Sequence, residues 1–210
     1  MDYSKEAVSV FNDLAQRYED KYMSVERYTK ELNLFCDSIP SKGSVLELAC
    51  GPGNVTKYIL NQRNDLIYTA TDMSTNMIDL AAKNNEGIST QILDCRDLSS
   101  LHESYNGAVS AFYLPYLNEK EVKANFHDVY SLLKDDGVFY LSGIKGDYEN
   151  SAYTHSISNP SYKIFMHYYD EQEIVKILRN IGFKLIMNSV IQYQNDQNDD
   201  TFEFAILVQK

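Results

Sequence analysis

The chain has 210 residues, enough for one domain that buries its own core without disulfide staples. A formal net charge of -11 and an isoelectric point near 4.7 oppose phosphate backbones and anionic lipid, so neither nucleic acid nor a membrane surface is an expected partner. Cys36, Cys50 and Cys95 match no zinc spacing, which leaves a reducing, cytoplasmic setting and no metal as the expectation.

Val8, Phe11, Leu14, Ala15, Tyr18 and Tyr22 recur at helical spacing and predict one amphipathic helix; a second is expected over 25–36. The opening segment stays acidic and holds no apolar run long enough for a signal or a span. From Ser44 the pattern changes to apolar runs of strand length, SVLELA, LIYTAT, STQILD, GAVSAF and GVFYLS, with helices expected between them. Such alternation calls for a parallel sheet covered by helices on both faces. The last two runs, FKLIMNSVI and TFEFAILVQ, are separated only by the polar stretch 194–200, too short for a crossover helix, and predict an antiparallel hairpin at a sheet edge. The seventeen tyrosines, with no tryptophan, read mostly as half-buried packing residues.

Chemistry gathers where strands end. VLELACGPGN runs a buried strand into two glycines and a helix, the form in which a backbone approaches an anionic or polar cofactor. Twenty-one positions beyond Gly51, TATDMS ends the second strand with Asp72, the spacing of an acid that accepts from both ribose hydroxyls. ILDCRDL closes the third strand with Asp94 and Cys95, and AFYLPYL follows the fourth. Three loops at the carboxyl ends of three successive parallel strands share one crevice.

With the terminal hairpin, these motifs make the chain resemble the class I S-adenosylmethionine-dependent methyltransferases, small bacterial small-molecule enzymes in particular. The resemblance implies an α/β, Rossmann-like, doubly wound sheet of seven strands: five parallel strands plus a C-terminal antiparallel hairpin, with N-terminal helices over the cofactor site. It divides a single domain into a helical cap at 1–40, a cofactor-binding core at 44–145, a substrate lid at 146–169, and a C-terminal helix and hairpin at 170–210. Glu47 would order the glycine loop. Ala49, which replaces a glycine of the family's loop, Cys50, Gly51 and Gly53 would lie along the methionine half of S-adenosylmethionine, whose product is S-adenosylhomocysteine. Asp72 would hold the ribose, Met73 the adenine face, Asp94 and the Cys95 amide the adenine edge. Phe112 falls in the segment between cofactor and acceptor, and Tyr18 and Tyr28 would present rings to the sulfonium if the cap folds down.

AFYLPYL lacks the amide or acid that base-modifying DNA enzymes carry there, which points to a small-molecule acceptor. His155 and His167 are the candidate general bases and Tyr113 the candidate orienting hydroxyl. The acceptor itself and the oligomeric state leave no mark in the sequence. Two rival classes remain: an NAD-dependent oxidoreductase, against which Thr56 stands where a third small residue belongs, and a non-catalytic module that only binds the cofactor.

Overall fold

The computed structural model describes residues 2–155, 162–194 and 198–210. Three helices come first, α1 (Tyr3–Asp13), α2 (Ala15–Tyr22) and α3 (Thr29–Ser38), with a 3-10 turn at Glu26–Tyr28. The alternating core follows: β1 (Ser44–Leu48), α4 (Asn54–Gln62), β2 (Ile67–Asp72), α5 (Thr75–Asn84), β3 (Ser89–Ile92), β4 (Tyr105–Ala111), α6 (Glu119–Leu132) and β5 (Leu133–Ile144). Then come β6 (Ala152–His155), β7 (Lys163–Met166), α7 (Glu171–Ile181), β8 (Lys184–Gln194) and β9 (Asp200–Gln209). Seven strands form one sheet in the order β3-β2-β1-β4-β5-β9-β8. β1 to β5 pair in parallel, whereas β9 inserts antiparallel between β5 and β8.

Period-two alternation sends successive side chains to opposite faces, and both faces are covered. Leu46, Leu48, Phe139, Leu141, Phe204 and Ile206 pack with Phe126, Ile174 and Leu178 of α6 and α7. Their neighbours Val45, Val138, Tyr140, Ala205 and Leu207 pack with Leu32, Phe35, Ile59 and Ala81 on the other side. Among the described residues no helix is long and apolar enough to cross a membrane.

Three sequence expectations need correction. The first helix is two, because Asn12 turns outward to α5: its carbonyl accepts from Asn76 Nδ2 at 2.8 Å, and its side-chain oxygen accepts from Ser74 Oγ at 2.9 Å. The chain bends at Leu14, aiming α2 at the glycine loop. The second helix begins at Thr29 rather than Val25. No helix joins β3 to β4; Asp94 accepts from the Arg96 amide and Asp97 from the Ser99 amide, local bonds that replace a helical ladder. The segment after β5, within the expected lid, forms a separate hairpin with Ala152 opposite Met166. That hairpin packs on α1, where the Tyr3 and Phe165 rings stack at 4.2 Å. Residues 156–161 lie outside the described residues.

Candidate functional site

The loop after β1 owes its shape to backbone that only small residues accept. Ala49, Gly51 and Gly53 have φ of 52°, 54° and 79°, all left-handed. Gly53 caps α4, and a Cβ there would sit 2.3 Å from Asn85 Nδ2 and 3.1 Å from Ala81 Cα, so no larger residue fits. At Gly51 the space is open except for the Tyr18 ring, 3.9 Å from the position of a Cβ. Ala49 therefore carries a cost of about 1 kcal/mol that glycine would avoid. Phe112, at the end of β4, is also left-handed with φ 58°. Backbone strain of this kind collects at ligand sites.

Asp72 joins the first two loops. Its carboxylate accepts from the Gly51 amide at 2.9 Å and the Ser74 amide at 2.8 Å, and burial pushes its pKa upward against those donors. A carboxylate has about four acceptor sites, so two remain for a ligand. Glu47 sits beneath, almost fully buried, accepting from Thr56 Oγ1 at 2.5 Å and the Tyr68 hydroxyl at 2.7 Å. Thr56, where a dinucleotide loop needs a small residue, is thereby committed to holding Glu47.

A cavity of about 110 Å³ lies above these loops at the carboxyl ends of the parallel strands. Ala49, Gly51, Asp72, Met73, Asp94 and Cys95 form its floor. Phe112, Tyr113 and Tyr116 come from the loop after β4, and Ser4, Ala7, Val8, Phe11 and Tyr18 come from the first two helices. Cys50 is buried behind it and Tyr28 stands outside, its ring 5.2 Å from that of Phe112. Burial pushes the Cys95 thiol up to about 12, so it stays neutral. The Tyr113 hydroxyl donates to Asn125 Oδ1 at 2.6 Å, and Asn125 Nδ2 donates to the Cys95 carbonyl at 2.6 Å, a chain that fixes the third loop.

Neither candidate histidine lines the cavity. His155 is on the surface of the hairpin. His167 is buried, stacked on Tyr148 with ring centroids 5.2 Å apart, and its Nδ1 has no partner among the described residues; burial lowers its pKa.

Two features escaped the sequence. Arg96 is a hub: it meets Asp94 at 2.7 Å, Asp2 at 2.8 Å and Glu121 at 3.1 Å, tying the start of α1 to the third loop and to α6. Burial raises the Asp94 pKa and Arg96 lowers it, with the net shift downward. Its only trace in sequence was a basic residue inside an acidic turn. The other is Glu203, on an inward position of β9, which accepts from the Tyr28 and Tyr193 hydroxyls and so positions the Tyr28 ring. A glutamate between Phe202 and Phe204 in an apolar strand was the available signal.

Arg96→Ala should loosen α1 first. Exposed pairs are worth about 0 to 1 kcal/mol each, and here three carboxylates lose one cation, so a stability loss of about 1 to 2 kcal/mol is expected. Hydrogen exchange should speed up in 3–13 more than in α4 or α5; equal acceleration everywhere would deny the hub this local role.

The strand order, the antiparallel β9 and the three loops at one cleft define the class I methyltransferase architecture. Residues 45–137 match the family model of a methyltransferase domain. Among solved structures, the DhpI complex with S-adenosylhomocysteine superposes with a TM-score of 0.73 at 18% identity, covering 98% of this chain and 96% of that one. An S-adenosylmethionine-dependent methyltransferase of Methanosarcina mazei gives 0.72 at 16%, covering 84% and 96%. The N-methyltransferase NodS of Bradyrhizobium japonicum, also with S-adenosylhomocysteine, gives 0.65 at 16%, covering 92% and 90%. In sequence, a candidate methyltransferase of invertebrate iridescent virus 6 is 25% identical over 58% of this chain, and the match spans 43% of the viral protein. An uncharacterised methyltransferase of Oceanobacillus iheyensis is 27% identical over 64% of this chain and 65% of its own length.

Proposed function

We propose that this chain binds S-adenosylmethionine in the cleft and transfers its methyl group to a small-molecule acceptor. The observation that carries the proposal is the convergence of Gly51, Asp72 and Asp94 on one cavity. The fit is chemical as well as topological. The open Gly51 cradle suits an approaching amino acid moiety, and the two spare acceptor sites of Asp72 suit a ribose diol. Asp94, although paired with Arg96, keeps acceptor capacity for an adenine amino group, with Met73 and Cys95 beside it. Tyr18 would cover the sulfonium, and Glu203 would hold Tyr28 against Phe112.

The bound cofactor would supply an activated methyl group. The residues supply alignment: Ala49 and Gly51 hold one end, Asp72 the middle, Asp94 and Cys95 the other, while Phe11, Tyr18 and Tyr116 face the acceptor side. At about 110 Å³ the cavity is smaller than the roughly 300 to 1,000 Å³ usual for ligand pockets, so α1 and the β6–β7 hairpin packed on it would swing out to admit reactants. We read 146–169 as the cover of that entrance.

S-adenosylhomocysteine at 100 times its dissociation constant should stabilise the fold by about 2.7 kcal/mol, a rise in Tm of roughly 5 to 10 °C. NADH should give no rise. The opposite pattern in differential scanning fluorimetry would restore the oxidoreductase.

A further inference from the structure

Six residues that line the cavity can titrate: Tyr18, Asp72, Asp94, Cys95, Tyr113 and Tyr116. Among the described residues no lysine, arginine or histidine does. Asp72 is held by two backbone amides, Asp94 by Arg96, and Tyr113 by Asn125, while Cys95 is a neutral thiol. The cavity thus offers an arriving acceptor neither a free base nor a cation. It does offer rings: Phe11 stands edge-on to both Tyr18 and Tyr116, with centroids 5.7 and 5.1 Å away. The Tyr18 and Tyr116 hydroxyls have no hydrogen-bond partner among the described residues; burial raises both pKa values, so both remain neutral phenols. Both residues are only partly buried and line the cavity, so their hydroxyls are free to meet a ligand's hydrogen-bonding groups.

On the premise that the cleft holds S-adenosylmethionine, we propose that the acceptor is an amine, seated in the Phe11, Tyr18 and Tyr116 box with the two tyrosine oxygens accepting from its N–H groups. The alternatives each lack something. Carboxylate and phosphate acceptors would bring negative charge to a cleft that holds two acids and no cation to meet it. Alcohols, phenols and carbon acids would have to lose a proton during transfer, and no free base lines the cavity. An amine needs neither. Its protonated form is drawn to rings and carboxylates, and its neutral form has a lone pair ready. That lone pair forms the nitrogen–carbon bond while the carbon–sulfur pair leaves to sulfur. Positive charge moves from sulfur to nitrogen, and the product ammonium releases its proton to water.

Three matched probes test the choice on the intact protein saturated with S-adenosylhomocysteine: phenethylamine, phenylethanol and 3-phenylpropionate. Calorimetry should show the amine binding about tenfold tighter than the other two. Equal or tighter binding of the carboxylate or the alcohol would overturn the proposal. Tyr116→Phe should weaken the amine about three- to tenfold and leave S-adenosylhomocysteine affinity unchanged; an unchanged amine affinity would remove the hydroxyl contact. For turnover, the rising limb of kcat/KM against pH should move with the pKa of each amine in a series. A limb fixed at one pH for all of them would reveal a base in the protein and sink the mechanism. Failure of the wild-type protein to bind S-adenosylhomocysteine at all would instead count against the cofactor assignment.

Discussion

Asp72→Ala will lose at least about a hundredfold in affinity for S-adenosylhomocysteine while the protein stays folded. Hydrogen bonds to a charged acceptor are worth roughly 1.5 to 3 kcal/mol each, and a ribose diol makes two. The same change frees the Gly51 and Ser74 amides, which Asp72 now holds at 2.9 and 2.8 Å, so the loop also loses a tether. Asp72→Asn separates the two effects. Its amide oxygen still accepts, but its NH2 cannot, so the variant should fall between wild type and Asp72→Ala. Calorimetry measures the affinity and circular dichroism the fold. Near-wild-type binding in a folded Asp72→Ala protein would mean that the ribose is held elsewhere.

What the sequence made legible follows from which forces act locally. The strands were readable because burial on both faces imposes apolar runs on β1 and β5, and the terminal hairpin was readable because seven polar residues leave no room for a crossover. The three loops were readable because each needs a particular residue type at a strand end. The bend at Leu14 was not, since its cause is a set of bonds from Asn12 to residues more than sixty positions on. Arg96 and Glu203 escaped for the same reason: a charge reveals its partners only after folding places Asp2, Asp94 and Glu121 around one guanidinium, or Tyr28 beside β9. Histidine attracted attention by its chemistry alone. The fold puts His167 among Tyr148, Phe165 and Tyr3 instead of at the cavity. Ala49 differs little from glycine in size, and its left-handed φ of 52° makes conformation the larger difference.

Glu47 should make the fold lose stability as pH rises, which is unusual for a carboxylate. Burial pushes its pKa from an ordinary 4.5 to about 7, against the hydrogen bonds from Thr56 and Tyr68 that lower it, and the nearby Asp72 adds to the rise. The folded state therefore holds a proton that the unfolded state has given up. Stability from this group is complete below pH 4.5 and is lost as pH climbs through about 7. At 1.36 kcal/mol per pH unit the loss is about 3 kcal/mol. Glu47→Gln keeps an oxygen that accepts from Thr56 Oγ1 and the Tyr68 hydroxyl but cannot ionise. The difference in unfolding free energy between the variant and the wild type should shift in favour of the variant by about that 3 kcal/mol between pH 4.5 and pH 8. Taking the difference cancels the titrating groups that do not interact with Glu47. Urea unfolding of both proteins across this range gives the curve; a difference that stays flat would mean that Glu47 keeps an ordinary pKa and that the loop rests on an ionised carboxylate.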